Sequence, residues 1–494
     1  MRSPGRKRGP PTAPATLSAR LGRHVTLDTD AGGRLVARFG DFSVDLGTFS
    51  AGALDRVQHL RTGLPLVSFA SGRRRIDKEL DLLVRRLARH GLLEYRLPRA
   101  RTGEDAVVIE PQLPDYWPQT PQLREADALG LSRFAYIRRR GDATVLESPR
   151  AGALFKICDP TIVTAIAMLS MPRQVKQLRL GHAFPGRELL ALLVDCRILF
   201  KIDAARGNVL GVAEGDDDLA LWDFHDLVFH ARSTEGRHAN PTGGVYPHVG
   251  VISPLPAVRP RWPGRKIDLR KFSAAHPENV TPVAKLLRQR HSTRRFDDER
   301  PITLAELSRL LDGTMGVLSK WKSGGHVGDA GPVVEYALRP YPSAGASYEL
   351  ELYLAVDKCG GLDRGFYHYD ADSHALVPID ARAHELEMML TGARLAMGES
   401  AAPQVLITIA ARFGRMSWKY SSIAYALILK DVGVLIQTLY LMATDIGLGG
   451  CAIGTVNIDL FAKMTGIEFH IEGPVGQFAI GRGVTSQAFG HHPT

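Results

Sequence analysis

Residues 342–356 read PSAGASYELELYLAV, a run of small residues passing straight into an apolar strand. Ser343, Ala344, Gly345, Ala346 and Ser347 leave the backbone unshielded, so amides there can approach a flat ligand closely; a plain turn uses the same residues. The strand ELELYLAV is matched by a second apolar run, PQVLITIAARF at 403–413. Both are too short and too rich in branched residues for core helices, and read as buried strands. Helical signals surround them. Thr281-Pro282 places an N-cap before a proline at the first helical position. Thr303 with Glu306 forms a capping box that opens ITLAELSRLLDG, a helix expected to end at Gly313. The stretch 423–446 is one long helix, stopped by Gly447-Leu448-Gly449-Gly450. This mixed order predicts an α+β fold for residues 276–490.

The stretch 423–446 is apolar enough to suggest a membrane span. Lys430 and Asp431 lie in its middle, where a bilayer makes charge costly. A buried core or interface helix is the expectation, in a soluble chain with no membrane partner.

The rest of the 494-residue chain is long enough for further domains. Residues 1–20 are basic and rich in Pro and Gly, with no apolar run of the secretory kind, and read as a disordered tail. Between 21 and 105, HVTLDTDAGGRLVARFG alternates around an Asp-Ala-Gly-Gly turn and FSVDLG follows. Helical patterns come at 51–61 and 76–90, with Leu80, Leu83, Val84 and Leu87 on one face and Gly91 as stop, and LLEYRL closes the segment. That order suggests a winged-helix-like module. Residues 106–205 repeat the order loosely: the hairpin FAYIRRRGDATVLESP, the helices PTIVTAIAML and GRELLALLVDCRI, then the strand ILFKID. A connecting segment, 206–275, lacks clear periodicity and is rich in Pro, Gly, His and Trp.

Charge is uneven. The first 100 residues carry 19 Lys+Arg against 9 Asp+Glu, and the rest 43 against 43. Only the front of the chain therefore favours acidic partners. The four cysteines (Cys158, Cys196, Cys359, Cys451) form no CxxC pair, so a zinc site or disulfide framework is not expected and a reducing cytoplasm is. His225, His230, His238 and His248 lack the spacing and companion ligands of a metal centre.

Five short motifs bear chemistry. In Arg290-His291-Ser292-Thr293-Arg294, two guanidiniums flank a hydroxyl at spacing two, which in an extended chain puts all three on one face for one phosphate. The bland alternative is a solvated basic helix end. The second motif is the 342–347 loop. Trp418-Lys419-Tyr420 supplies two side chains that titrate near pH 10 and can act as acid or base where their surroundings allow. Residues 447–454, GLGGCAIG, and Ile480-Gly481-Arg482-Gly483 complete the set; Arg482 could add a third positive charge, and the glycines suit an ordinary turn equally.

Taken in order, RQRHSTRRF, PSAGASYELELYLAV, RGFYHYDADSHAL, KYSSIAYALILKDVG, GLGGCAIG and AIGRG resemble the SagB-type azoline dehydrogenases of the nitroreductase-like superfamily, over roughly residues 280–485. The resemblance implies bound FMN, with Arg290, Ser292, Arg294 and Arg482 on its phosphate. Pro342, Ser343 and Gly345 would lie along the flavin, with the backbone of Gly447, Leu448, Gly449 and Gly450 facing the ring. It implies an intertwined homodimer, and oxidation of thiazoline or oxazoline rings in a modified precursor peptide, with Lys419 and Tyr420 as catalytic residues and Tyr420 favoured as base. Partners of that chemistry are the peptide and a cyclodehydratase complex. The front modules resemble leader-peptide recognition elements, where Arg73-Arg74-Arg75 and Arg85-Arg86 would meet acidic segments. No GxGxxG follows a strand, in keeping with flavin and no Rossmann domain. Two other readings stand beside this one. One is a nitro- or quinone reductase fed by NAD(P)H. The other is a flavin-sensing DNA-binding regulator, against which the helix at 76–90 spends Asp77, Glu79 and Asp81 where phosphates would lie, so no nucleic-acid partner is expected.

Overall fold

The computed structural model describes residues 17–484 except 31–32, 40–41, 67–73, 100–101, 114, 179–185, 203–213, 215, 235–247, 262, 270–271, 273–280 and 325–332. The first 16 residues of the basic tail, Arg73 and His238 lie outside the described residues. The chain divides into two compact units, Met1–Ala239 and Asn240–Thr494.

In the first unit the 25–47 segment forms the expected meander, Val25–Thr29, Leu35–Phe39 and Phe42–Gly47, all antiparallel. The helix Arg75–Arg89 buries Leu80, Leu83, Val84, Leu87 and Ala88, and Gly91 follows at φ +65°. The two segments divided at residue 105 share one sheet. Strand Leu93–Pro98 pairs with Asp105–Pro111, which pairs in turn with Ala153–Ile157. The resulting seven-stranded sheet runs from Leu64–Pro65 at one edge to Tyr136–Arg140 at the other. The reason is visible in DAVVIEP itself: Ala106, Val107, Val108 and Ile109 are all buried, so this strand needs neighbours on both sides and cover on both faces. One hydrophobic cluster spans both segments, from Leu17 to Leu199.

The segment 206–275 contains a helix where periodicity was weak, Phe224–Ser233, capped by Asp223 accepting from the His225 amide at 2.9 Å. Its buried face is only Leu227, His230 and Ala231, too short a stripe to stand out in sequence.

The second unit is built on a six-stranded antiparallel sheet, in the order Ala375–Ile379, Gly365–Asp370, Leu350–Val356, Val405–Arg412, Glu472–Gly481, Gly449–Ile453. The central strand Val405–Arg412 is buried at every position but the last, because helices cover both faces. The helix Ala383–Met397 places Leu386, Met389, Leu390 and Ala393 against Leu406, Ala410 and Ala479. The helix Ala424–Asp445 covers the opposite face, with Tyr440 edge-on to Phe478 at 4.9 Å. It ends as its glycine requires: Gly447 takes φ +77°, with the Gly447 amide bonded to Thr444 O and the Leu448 amide to Ala443 O.

The capping box forms as expected, with Thr303 and Glu306 bonded in both directions. Gly313 does not end that helix, which continues as Leu304–Met315 with Gly316 as its cap. A Cβ on Gly313 would lie 2.7 Å from Met442 Cε, so this glycine serves the close approach of two helices. The helix Ala424–Asp445 is long and apolar enough to cross a membrane. Asp431 at its middle is nevertheless buried in protein and accepts bonds from Ser343 and Ala344.

Candidate active site

Two of the motifs converge on one glycine. Gly345 sits at φ +58°, a left-handed conformation that a side chain disfavours. A Cβ there would fall 2.3 Å from the Tyr420 hydroxyl and 2.6 Å from Lys419 Nζ. Lys419 Nζ donates to the Gly345 carbonyl at 2.8 Å and lies 5.4 Å from the Tyr336 ring centre. The absent side chain therefore makes room for the two polar groups that the sequence marked as acid–base candidates. Lys419 and Tyr420 follow the short helix Phe413–Ser417, whose Arg415 donates to the carbonyls of Ser347 and Glu335 and so ties this helix to the far end of the same loop.

The loop is held from beneath. Ser343 Oγ and the Ala344 amide both donate to Asp431 Oδ2, each at 2.8 Å. The Tyr348 amide donates to Ser343 Oγ at 3.0 Å, and Glu349 Oε2 lies 3.3 Å from the same oxygen. Glu349 is fully buried, and burial first, then the facing Asp431 carboxylate, pushes its carboxyl up to about 7. Pro342 opens the loop beside Tyr341, which is packed edge-on to Tyr348 at 5.3 Å.

A second pair of motifs meets at the other end of the long helix. Ser292 bridges Gly450 in parallel fashion, and the Thr293 amide donates to Gly450 O at 2.8 Å. The missing side chains of Gly449 and Gly450 are taken up by protein: a Cβ on the first would strike Thr293 at 2.6 Å, and on the second Phe478 at 2.2 Å. Tyr440 joins the parts. Its hydroxyl accepts from the Ala452 amide at 2.8 Å and lies 2.9 Å from Ser292 Oγ, and the Arg290 guanidinium stands 5.1 Å from its ring centre. Arg294 is exposed beside Cys451, whose thiol burial pushes up.

The arginines of this region sort themselves by partner. Arg295 pairs with Glu399, Arg300 with Asp297 and Arg482 with Glu306. Among the described residues neither Arg290 nor Arg294 has a carboxylate within ion-pair distance. Ser292 stands between them in sequence, its hydroxyl 2.9 Å from that of Tyr440. Arg482 was expected with them. The structure turns its guanidinium to both oxygens of Glu306, at 2.6 and 2.8 Å, and to Arg300 O at 3.2 Å. Burial pushes the Glu306 carboxyl up, but bonds from Arg482 and Thr303 outweigh it and its pKa is lowered. Asp431, Glu349, Tyr440 and Glu306 were not singled out from sequence as site residues. A Tyr or an acid inside an apolar helix carries no local signal of its partner.

The nitroreductase family model matches residues 287–482, and the model described as cyanobactin oxidase ThcOx matches residues 129–239. The protein MJ1384 of Methanocaldococcus jannaschii, described as a nitroreductase, is 34% identical over 171 residues, covering 34% of this chain and 76% of that protein. Among solved structures, a nitroreductase from Ralstonia eutropha JMP134 is 23% identical, with a TM-score of 0.32 over 50% of this chain and 98% of that one. The E. coli microcin synthetase McbBCD complex with truncated pro-MccB17 is 19% identical, with a TM-score of 0.38 over 56% and 99%. Scores this low lend no weight to any statement about activity. The identity to the archaeal protein does, and the two family models place a cyanobactin-oxidase region ahead of a nitroreductase domain. The chain is an oxidoreductase and belongs to the nitroreductase family.

Proposed function

We propose that the chain is an FMN-dependent dehydrogenase that oxidises thiazoline or oxazoline rings to the azoles in a ribosomally made precursor peptide. The observation that carries this reading is the meeting of Lys419 Nζ and Tyr420 OH at Gly345. The residues present suit the cofactor: Arg290, Ser292 and Arg294 form an anion-ready end, and the small-residue loop at 342–347 forms a flat end. Tyr440 and Asp431 mark those ends nine residues apart on one helix, roughly 14 Å at ~1.5 Å per residue. When bound, FMN supplies the two-electron acceptor.

The protein's own part is proton transfer and placement. Removing a ring proton needs a base at the substrate carbon, and Tyr420 is the half-buried member of the pair. The Lys419 ammonium lies 5.6 Å from the Tyr420 ring centre. The Gly345 carbonyl holds that ammonium in place. Leu448, with its neighbours 447, 449 and 450, would complete the wall facing the ring.

Assembly belongs to the same proposal. On the long helix Ile423, Ala426, Lys430, Gly433 and Gln437 are exposed, and Leu427, Val434 and Leu441 are only half-buried. An apolar stripe of this length suits a second copy, so that each site would be completed by a homodimer. In the first unit the strand Tyr136–Arg140 is a sheet edge, with Ile137 and Arg139 exposed. An extended acidic leader peptide could add a strand there, with winged-helix-like units as its receptor and a cyclodehydratase as the enzyme that supplies the ring. The free thiols suit the cytoplasm.

The colour of the purified protein tests the cofactor: a yellow sample must release FMN on denaturation. Incubation with a heterocyclised peptide tests the reaction, which must lower the mass by about two units per ring, the two hydrogens lost. The match to the nitroreductase family favours one rival, a nitro- or quinone reductase. Fast NAD(P)H oxidation with nitroaromatics and no mass loss on the peptide selects that reading instead.

A further inference from the structure

The loop that carries Gly345 rests on two carboxyl groups that nothing in the proposed chemistry uses. Asp431 comes from the long helix and Glu349 from the residue before the strand Leu350–Val356, and both are buried. Ser343 Oγ stands between them, 2.8 Å from Asp431 Oδ2 and 3.3 Å from Glu349 Oε2.

Proton counting decides how these groups are charged. The Ser343 hydroxyl has one hydrogen and two carboxyl neighbours. The shorter contact takes it, so Ser343 donates to Asp431. The Ala344 amide also points at that Asp431 oxygen, at 2.8 Å, and two donors on one oxygen call for a carboxylate. Ser343 Oγ already accepts the Tyr348 amide at 3.0 Å and keeps one lone pair. Glu349 can satisfy that lone pair only as the neutral acid, by donating its own hydrogen. As a carboxylate it would face an oxygen with no proton left to offer. Its other oxygen, Oε1, is buried without a hydrogen-bond partner, which a neutral acid tolerates far better than an anion.

We propose that Asp431 and Glu349 are positioning residues, a carboxylate and a carboxylic acid sharing one proton through Ser343, that lock the 342–347 loop so that the Gly345 carbonyl holds Lys419 beside Tyr420. The consequence is a proton-dependent anchor. With Glu349 neutral, the chain of bonds from Glu349 through Ser343 to Asp431 is complete and Gly345 O is set 2.8 Å from Lys419 Nζ. When Glu349 ionises, one hydroxyl proton is left for two carboxylates and the loop loses a tie. The other charged and titratable groups around the pair are Arg339 and Tyr341 before the loop, Glu351 on the same strand, and Arg415 on the short helix. Tyr341 is held far above its ordinary value by burial, so Glu349 is the group that changes near neutrality.

The inference rests on Lys419 and Tyr420 being the proton-transfer pair of the proposed oxidation, yet its first test needs no turnover. Lysines of the full-length, flavin-loaded protein are reductively methylated with a carbon-13 label, and the Lys419 signal is identified by its loss in Lys419→Arg. Its position is then followed from about pH 5.5 to about pH 9. The expected result is an inflection near pH 7, as the Glu349 carboxyl ionises, that vanishes in Glu349→Gln and in Ser343→Ala. A wild-type signal without the inflection, or an inflection that survives Glu349→Gln, overturns the proposal. The second test is the pH profile of ring oxidation. Glu349→Gln should keep its rate at pH 8.5 relative to pH 6.5 where the wild type loses it, and Asp431→Asn should lower kcat on the order of 10–100-fold with little change in KM. If Asp431→Asn does not fold, Ser343→Ala takes its place in the same comparison. A protein that shows the expected inflection but oxidises no ring in any variant overturns the proposed reaction and leaves the positioning pair standing.

Discussion

Lys419 Nζ donates a 2.8 Å hydrogen bond to the carbonyl of Gly345, across 74 positions of sequence. The lysine's charge is thereby fixed at one point of a loop whose backbone is itself fixed by a left-handed glycine. Lys419 is otherwise exposed, and without this bond its long side chain would sample many rotamers.

Gly345→Ala should therefore act on chemistry more than on folding. The left-handed conformation costs an alanine about 1–2 kcal/mol. The added methyl also displaces the ends of Lys419 and Tyr420, which are flexible enough to move without unfolding the loop. Ring oxidation should fall at least about tenfold, while the far-UV circular dichroism spectrum stays that of the wild type. Equal turnover in the variant would separate this glycine from the reaction.

Arg290 and Arg482 should part company on substitution. A charge-assisted bond to a phosphate is worth roughly 1.5–3 kcal/mol, so Arg290→Met should weaken FMN binding by about 10–100-fold in a titration of the apoprotein. Arg482→Met removes the partner of Glu306, on the first turn of Leu304–Met315, and should lower the thermal midpoint with a smaller effect on flavin affinity. A larger flavin defect from Arg482→Met than from Arg290→Met would reverse the assignment.

Stability should depend on Glu349 with a definite sign. Its carboxyl is raised from 4.5 to about 7 in the folded chain, so the fold binds this proton more tightly than the unfolded chain does. The contribution is complete below about pH 4.5 and is lost as pH climbs to about 7. The loss is at most roughly 3.5 kcal/mol at ~1.4 kcal/mol per unit. Denaturant melts of Glu349→Gln should lack that part of the slope, and the variant should exceed the wild type in stability at pH 8. Parallel curves for the two proteins would refute the assignment.

The stripe on the long helix makes a prediction about assembly. Val434→Asp combined with Ile423→Asp places two charges on a face that is half-exposed in the single chain. A monomeric protein can hydrate them and a dimer seam cannot. Sedimentation should show dimers for the wild type and monomers for the variant, with flavin lost in parallel. A wild type that sediments as a monomer at micromolar concentration excludes the shared site.

Much of the catalytic half was legible because its signals are local. The capping box at Thr303 and Glu306, the Thr281-Pro282 start, the stop after the long helix and the two apolar strands each depend on residues within one or two turns of each other. The order of motifs was legible too, and it pointed to the nitroreductase family before any contact was known. Elsewhere local reading misled. Gly313 looks like a helix stop, yet Met442, far along the chain, explains it. Gly449 and Gly450 carry no local sign of which residues lie where their side chains would be; Thr293 and Phe478 do.

From residues alone came the elements of the second unit, the family, and the side chains proposed to bear the chemistry: Arg290, Ser292, Arg294, Lys419 and Tyr420. Tertiary structure alone decided their company. It brought Gly345 to Lys419, set Asp431 under Ser343, slid Tyr440 between Ser292 and Ala452, and turned Arg482 to Glu306. The physical reason is that side-chain type and spacing determine which bonds a residue can make within a turn or a strand. Which distant partner satisfies a buried donor, acceptor or charge is settled only when the sheet and its covering helices exclude water and leave one geometry in which each such group is met.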